Sequence, residues 1–216
     1  GAQLKRHLDE LSQQLTSQNV HTGSNAEVQM GGEVKIRYGK TKFDKVFKAQ
    51  GTYDELISQA QSYLGKDQIG FRDDQNRIVF IRADHDVKFM IKWCFAQELP
   101  FIQIVELPKQ DFDELKKLNF KKECDSTKQG HAVFRAESIG SEGSLVFVVI
   151  SGKLKKDEGF AYLQNIFGPF SNLMFVDDSE DIITVDSDES WEYCIETGMA
   201  SSNVGKYPLL ILDTHT

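Results

Sequence analysis

The chain has 216 residues, 40% of them hydrophobic, and a formal net charge of −8, which is typical of a folded protein of about two domains and excludes a disordered one. The acidic balance and the lack of an arginine-rich stripe argue against nucleic acid as the main ligand, and no apolar run reaches the roughly 18 residues of a membrane span. Cys94, Cys124 and Cys194 are too scattered for a disulfide scaffold or a zinc cluster, which favours reduced thiols in a cytoplasmic protein.

The first predicted element is an N-terminal helix. Leucines recur at i, i+4, i+7 and i+11 from Leu4 to Leu15, a stripe that suits a short coiled coil or a docking helix. Residues 16–32 are rich in Ser, Asn, Gly and Thr, which is typical of a linker. We therefore predict a helix and linker over residues 1–32. The chain begins with Gly1 instead of Met, so we expect the natural protein to be longer.

The first half of the chain then follows the order β-β-α-β-β-α-β. Alternating apolar residues predict the strands, and the capping-box spacing of Thr52 and Glu55 predicts the start of a helix that Gly65 ends. The predicted elements are the strands 34–38 and 43–49, the helix 52–64, the strands 68–72 and 77–83 around the turn 73–76, the helix 87–98 and the strand 101–107. We place the first domain at residues 33–108.

A connector at residues 109–127, with a short helix at 110–118, leads to a second half with the same predicted order. Its elements are the hairpin strands 131–137 and 144–151, the helix 157–167, the strands 173–176 and 182–185 around an acidic turn, the helix 188–197 and the strand 209–213. We place the second domain at residues 128–216.

Short matches support a duplication. Val34-Lys-Ile-Arg37 aligns with Ala132-Val-Phe-Arg135 on the first strand of each half, and Lys92-Trp-Cys94 aligns with Trp191-Glu-Tyr-Cys194 on the second helix. A period near 100 residues indicates duplicated domains, because the repeats of solenoids are about 20–50 residues long.

The two halves differ in charge. The first half has a net charge of +1 over residues 33–107, and the second has −8 over residues 128–216. Nine carboxylates and no Lys or Arg lie between Asp177 and Glu196. Such a cluster repels itself, so a folded domain keeps it only if solvent or a cationic partner neutralises it. Two arginines partly neutralise the corresponding turn of the first half.

This element order, with a basic residue on the first strand and an acidic turn between the third and fourth strands, resembles the Phox/Bem-one interaction domains, a ubiquitin-like β-grasp family. The family's acidic motif reads aromatic-x-Asp-x-acid-x-acid. Phe175-Val-Asp177-Asp178-Ser179-Glu180-Asp181 matches it except at Ser179, where an acid is expected. The resemblance implies an α+β fold of two β-grasp domains behind a short N-terminal helix.

In that family a Lys or Arg on the first strand of one domain contacts the acidic cluster of the next. The resemblance implies a basic-type first domain, similar to those of some mitogen-activated kinase kinase kinases, and an acidic-type second domain. Strand alternation places Lys35 and Arg37 on one outward face, and a guanidinium can pair bidentately with a carboxylate. The predicted basic face comprises Lys35, Arg37, Lys40 and Lys42, with Arg135 at the same position of the second domain. The predicted acidic face comprises Asp177, Asp178, Glu180, Asp181, Asp188 and Glu189.

We expect a non-catalytic scaffold segment that binds complementary acidic and basic β-grasp domains, including a second copy of itself, and that uses no cofactor or metal. Three arrangements stay open: the domains cap each other within a chain, chains assemble head to tail, or each face binds a different protein. The alternatives are a regulatory region of a larger protein kinase and a coiled-coil component assembled by the N-terminal helix. The acidic turn could also be only a solvated face, and a calcium loop is disfavoured because Ile182 replaces the required Gly.

Overall fold

The computed structural model describes residues 2–6, 32–121, 130–139 and 143–214. Residues 2–6 are helical, while the rest of the leucine stripe and the linker lie outside the described residues. The strands are β1 Glu33–Tyr38, β2 Lys45–Lys48, β3 Ile69–Arg72, β4 Ile78–Phe80, β5 Ile102–Glu106, β6 His131–Ile139, β7 Leu145–Ser151, β8 Asn172–Val176, β9 Ile182–Thr184 and β10 Leu209–Asp213. The longer helices are α1 Tyr53–Leu64, α2 Asp84–Ala96, α3 Lys109–Leu115, α4 Lys156–Phe167 and α5 Asp188–Asn203.

The predicted order of elements is confirmed in both halves, and the ten strands form one mixed sheet. Its strand order is β2-β1-β5-β3-β4-β7-β6-β10-β8-β9. When the five strands of each half are numbered in chain order, their order across the sheet is therefore second, first, fifth, third and fourth in both halves. The halves join where β4 pairs in parallel with β7, with Val79 beside Leu145 and Phe80 beside Val146. The chain is thus a mixed α/β protein with a continuous sheet.

The strand register defines which residues of the two halves are equivalent. In each half the aromatic residue before the turn pairs with the fifth strand, which in turn pairs with the first strand. These pairs run from Phe71 through Ile104 to Tyr38, and from Phe175 through Leu210 to Ala136. One residue earlier on the first strand stand Arg37 and Arg135. The sequence alignment of these two arginines is therefore confirmed.

The alignment of the second helices is wrong by about one turn. Helix α2 begins 11 residues after Asp73, and α5 begins 11 residues after Asp177, so residues 104 apart are equivalent and Cys94 corresponds to Gly198. The error has a simple cause. Apolar residues recur every three or four positions on a helix, so a short match can be displaced by one turn without losing its pattern.

The helices of the two halves lie on opposite faces of the sheet. Leu145 and Phe147 of β7 pack into the core formed by α1 and α2, whereas the alternate residues Val146 and Val148 pack into the core of α4 and α5. Paired residues of neighbouring strands share a face. Helix α2 of the first half therefore extends over that face of the second half which α4 and α5 do not cover. Strand β7 is apolar on both faces for this reason.

Aromatic contacts hold α2 on the second half. The ring of Phe89 in α2 lies 5.3 Å from that of Phe147 in β7 and 5.5 Å from that of Tyr207, measured between centroids. The connector helix α3 packs on the opposite face, where Phe112 meets Phe80 edge-on. Residues from both predicted domains therefore share each core, and the proposed boundaries at 33–108 and 128–216 stay a prediction.

The contact between α4 and α5 gives a test of the second core. A Cβ added to Gly159 of α4 would lie 2.1 Å from the buried indole of Trp191 in α5. Gly159→Ala should gain up to about 1 kcal/mol of helix propensity but lose about 1–3 kcal/mol to overpacking. We expect net destabilisation in urea unfolding. Gln164→Ala, at an exposed position of the same helix, should change the free energy of unfolding by less than about 0.5 kcal/mol; equal effects would contradict this packing.

Candidate protein-binding surfaces

The turn of the first half is organised by one carboxylate. Asp73 Oδ1 accepts hydrogen bonds from the backbone N–H of Gln75 at 2.9 Å and of Arg77 at 2.8 Å. The N–H of Asp73 donates to the carbonyl of Arg77 at 2.9 Å, and Asn76 has a positive φ of 61°, which Asn adopts more easily than most residues. The Asp73 side chain is fully buried, and its second oxygen remains for another donor.

The turn of the second half has the same geometry. Asp177 Oδ1 accepts from the N–H of Ser179 at 3.0 Å and of Asp181 at 2.9 Å, and Glu180 has φ 65°. Asp177 Oδ2 accepts the hydroxyl hydrogen of Tyr193 at 3.0 Å. The hydrogen bond from the Asp181 backbone, more than those from Tyr193 and Ser179, lowers the pKa of Asp177 against the opposing effect of burial. Asp177, predicted as a partner-binding residue, therefore builds the turn and is largely buried.

Arg135 connects the two halves. One of its guanidinium nitrogens donates to Asp73 Oδ2 and lies 3.5 Å from Asp74 Oδ1, while Nε donates to the carbonyl of Tyr207 at 2.9 Å. Its side chain is 11% exposed. The structure thus places Arg135 in an internal contact between β6 of the second half and the acidic turn of the first, and not on an outward basic face.

Two more cations cross the junction. Arg77 pairs with Glu137 at 2.5 Å, and Arg82 donates to the carbonyl of Phe147 at 2.7 Å while its Nε lies 3.1 Å from Asp86. Burial raises the pKa of Asp86 to about 6, although the Arg82 charge acts in the opposite direction. The junction therefore combines charged hydrogen bonds with the aromatic packing of α2.

The rest of the predicted basic face lies together on the β1–β2 hairpin. Lys35, Lys40 and Lys42 are exposed. Arg37 is half-buried because its Nε lies 2.6 Å from Asp44 and its guanidinium stacks on the Phe101 ring at 3.8 Å. The pair with Asp44, about one-third exposed, therefore holds the guanidinium of Arg37 against the Phe101 ring.

Sequence reasoning missed two apolar residues on the same hairpin. Phe43 is 75% exposed and Val46 is 51% exposed. Val46 pairs directly with Lys35, so it belongs to the outward face. The equivalent residue in the second half, Val149, is buried under α2. Strand alternation could have identified Val46, but only the comparison with Val149 indicates that its exposure is unusual.

The predicted acidic residues other than Asp177 are exposed around the β8–β9 turn and the start of α5. They are Asp178, Glu180, Asp181, Asp188 and Glu189. Further exposed residues extend this surface beyond the predicted face. They are Asp186, Glu192 and Glu196, which belong to the cluster of nine carboxylates, and the apolar or aromatic residues Ile182 and Tyr193. Within the described part of the chain, none of these acids has a cationic side chain at ion-pair distance.

The acidic surface arises by reversal of charge at equivalent positions. Four basic residues of the first half are replaced by acids 104 residues later. The replacements are Arg77 by Asp181, Arg82 by Asp186, Lys88 by Glu192 and Lys92 by Glu196. In the first half, the edge formed by β4 and α2 meets the apolar strand β7. In the second half, the equivalent edge, formed by β9 and α5, is open and strongly acidic. Its charge is therefore opposite to that of the open β1–β2 hairpin.

Comparisons with known proteins give no family assignment. No model of a known protein family matches the chain, and no curated protein matches its sequence. Among the described residues, no helix has the length and apolarity needed to span a bilayer, and no group of three or more His, Cys, Asp or Glu is placed to hold a metal ion. Cys94 and Cys194 are buried free thiols, and burial raises the pKa of Cys94 to about 11, which keeps it protonated.

The two equivalent arginines should differ sharply in their effect on stability. Arg135→Ala leaves the fully buried Asp73 carboxylate without its cation, which typically costs about 3–5 kcal/mol. Arg37→Ala removes a pair whose partners are each about one-third exposed, worth at most about 1 kcal/mol. Urea unfolding of both variants measures the difference. A small effect of Arg135→Ala would mean that this pair does not hold the halves together.

Asp86 provides a pH test of the junction. Because its folded pKa of about 6 exceeds its ordinary value of 3.8, the folded chain binds this proton more tightly than the unfolded one. The resulting stability is fully present below about pH 4 and is lost as the pH rises through about 6. The unfolding free energy of wild type minus that of Asp86→Asn should therefore fall over this range. A difference that rises with pH would mean that Arg82, not burial, controls the carboxyl.

Proposed function

We propose that this chain is a non-catalytic protein–protein interaction segment, built from two β-grasp domains of the Phox/Bem-one type. Its basic face is the β1–β2 hairpin with Lys35, Arg37, Lys40 and Lys42, and its acidic face surrounds the turn after β8. The identical strand order of the two halves and the same hydrogen-bond pattern in their acidic turns support the β-grasp interpretation.

One contact carries the proposal more than any other. Arg135 on the first strand of the second half binds Asp73 in the acidic turn of the first. This is a front-to-back contact between two similar units inside one chain. It uses the basic position of the second unit and the acidic turn of the first, so the equivalent positions Arg37 and Asp177 are left at the outer ends.

The position of the two outer faces argues against one of the three arrangements considered above. They lie at opposite ends of a sheet of ten strands, which at about 4.8 Å per strand are roughly 40 Å apart. Mutual capping of these two faces within one chain is therefore disfavoured. The proposal therefore includes two arrangements: contacts between copies of the chain, and contacts of each face with a different protein.

Charge alone does not supply the binding energy. A single exposed ion pair contributes about 0–1 kcal/mol, so a stable contact needs several pairs and the burial of apolar surface. Both faces offer this combination, since Phe43 and Val46 lie beside the lysines and Ile182 and Tyr193 lie among the acids. Binding should weaken with salt, because the Debye length falls from about 10 Å at 0.1 M to about 3 Å at 1 M.

The alternatives have less support from the described residues. A calcium loop would need the carboxylate of Asp177, but both of its oxygens accept hydrogen bonds from the chain itself. Assembly through the N-terminal helix depends mainly on residues outside the described part. A regulatory region of a protein kinase is compatible with the proposal, because such a region would bind through the same two faces. The reduced, buried thiols fit a cytoplasmic location.

Affinity capture from an extract of the source cells tests the proposal. Lys35→Ala with Arg37→Ala should lose one set of bound proteins and keep its thermal midpoint nearly unchanged, because these side chains contribute little to folding. Asp178→Ala with Asp181→Ala should lose a different set; Asp177 is unsuitable because it builds the turn. Lys117→Ala with Lys153→Ala, at exposed positions outside both faces, is the matched control. Unchanged capture by both face variants at low salt would refute the proposed function.

A further inference from the structure

The internal junction is more than a charge contact, because it also continues the sheet. β4 and the start of β7 pair in parallel, α2 covers the outer face of the following hairpin, and Arg135 reaches the turn. Since the two halves are built alike, the strand pairing, the covering helix and the arginine at the turn each have an equivalent at the two open ends of the chain. The contacts of Arg77 and Arg82 do not, because Asp181 and Asp186 stand at the equivalent positions. A second copy of the chain could therefore form a similar junction with either open end.

The β9 edge offers the backbone groups that such a pairing needs. Asp181 and Val185 make the ladder hydrogen bonds with the β8 side, and antiparallel ladders alternate along the strand. The N–H and C=O groups of Ile182 and Thr184 therefore point outward, as those of Ile78 and Phe80 do towards β7. Within the described residues, no strand pairs with this edge of β9.

The opposite end offers the matching strand. Register makes Lys45 equivalent to Val148, so Lys42 and Phe43 correspond to Leu145 and Val146, the two residues of β7 that pair with β4. Residues 42–44 precede β2, whereas their equivalents already belong to β7. Pairing with a partner strand at this edge would extend β2 to include residues 42–44, just as β7 includes their equivalents.

We propose that a second copy of this chain pairs its β9 in parallel with residues 42–44 and β2 of the first, continuing the sheet from chain to chain. Thr184 of one copy then lies beside Phe43 of the next, Asp178 and the other exposed acids of the turn meet Arg37, and Tyr193 packs where Phe89 packs inside the chain. This deepens the proposed function, on which it rests, by naming the partner and the geometry of the contact.

Charge and exposure favour a second copy as the partner. Solvent-exposed sheet edges are normally protected by charged side chains, which prevent uncontrolled pairing. Here Asp181 and Asp186 flank the β9 edge, where Ile182 and Thr184 are exposed, and the β2 edge carries lysines, together with Asp44, beside Phe43 and Val46. Two β9 edges repel each other, as do two β2 edges, whereas a β9 edge attracts a β2 edge. Only the head-to-tail pairing is therefore favourable. Such a contact does not close on itself in a dimer and leads to rings or filaments.

Thr184→Pro tests the strand pairing directly. Proline removes the outward N–H of an exposed edge residue without changing any charge. In sedimentation velocity at low salt, it should weaken self-association of the full chain by about tenfold, the effect of about 1.4 kcal/mol, whereas the matched variant Thr184→Val should assemble like wild type. The thermal midpoint of each variant reports whether it is folded.

Disulfide trapping provides a second arm that does not depend on the proline variant folding. In a Cys124→Ser background, a chain with Thr184→Cys is mixed with a chain with Phe43→Cys under mild oxidation. Neighbouring strands lie about 4.8 Å apart, within the range of a disulfide, so a covalent dimer should form. Val46→Cys in place of Phe43→Cys is about 10 Å out of register and should not crosslink.

The outcomes separate this inference from the proposed function. A wild type that stays monomeric at low salt, or equal assembly of Thr184→Pro and Thr184→Val without the Thr184–Phe43 crosslink, overturns sheet continuation. In either case the loss of captured proteins from the Lys35/Arg37 variant would still support the two binding faces. Assembly of wild type, loss in the proline variant and the register-specific crosslink together establish the sheet contact.

Discussion

The buried contact between Arg135 and Asp73 is the interaction on which the relation of the two halves depends. Ionised groups lose hydration when they are buried, so they are tolerated only with partners in good geometry. Here one oxygen of Asp73 holds its own turn together and the other receives Arg135, whose Nε binds a backbone carbonyl as well. The same carboxylate therefore shapes one unit and positions the next, which links the folding of the turn to the docking of the halves.

Environment, more than sequence position, explains how the two copies of the unit differ. Lys35 and Val133 are equivalent, as are Phe101 and Tyr207, yet only the members from the second half are fully covered. The strand face that α2 covers is apolar, whereas the equivalent face without a cover carries Lys35. At the other edge, acids (Asp181 and Asp186) stand at the positions equivalent to Arg77 and Arg82, which serve the internal junction. The asymmetry of charge between the halves follows from the order in which the units are joined.

Much of this architecture could be predicted from local patterns. Alternation, capping and turn residues identified both sets of elements, and the alignment of Arg37 with Arg135 was correct because it rests on a strand of period two. The role of Arg135 could not be found in this way, since its partner Asp73 is 62 residues away and nothing in the sequence distinguishes a docked arginine from an exposed one. Asp177 was predicted as a surface acid for the same reason: sequence does not reveal that the chain itself uses its oxygens. The parallel pairing of β4 with β7 also depends on contacts between halves that local patterns do not encode.

The apolar character of β7 on both faces has a consequence for dividing the molecule. A fragment containing only the second half would expose Val133, Phe147, Val149 and Tyr207 to water, together with the cation of Arg135 beside them. Exposed apolar surface of that kind favours aggregation. The first half would lose less, because its own outer face is already hydrated. The second half therefore depends on the first for a soluble fold, and the two are best regarded as one unit of folding even though each repeats the plan of the other.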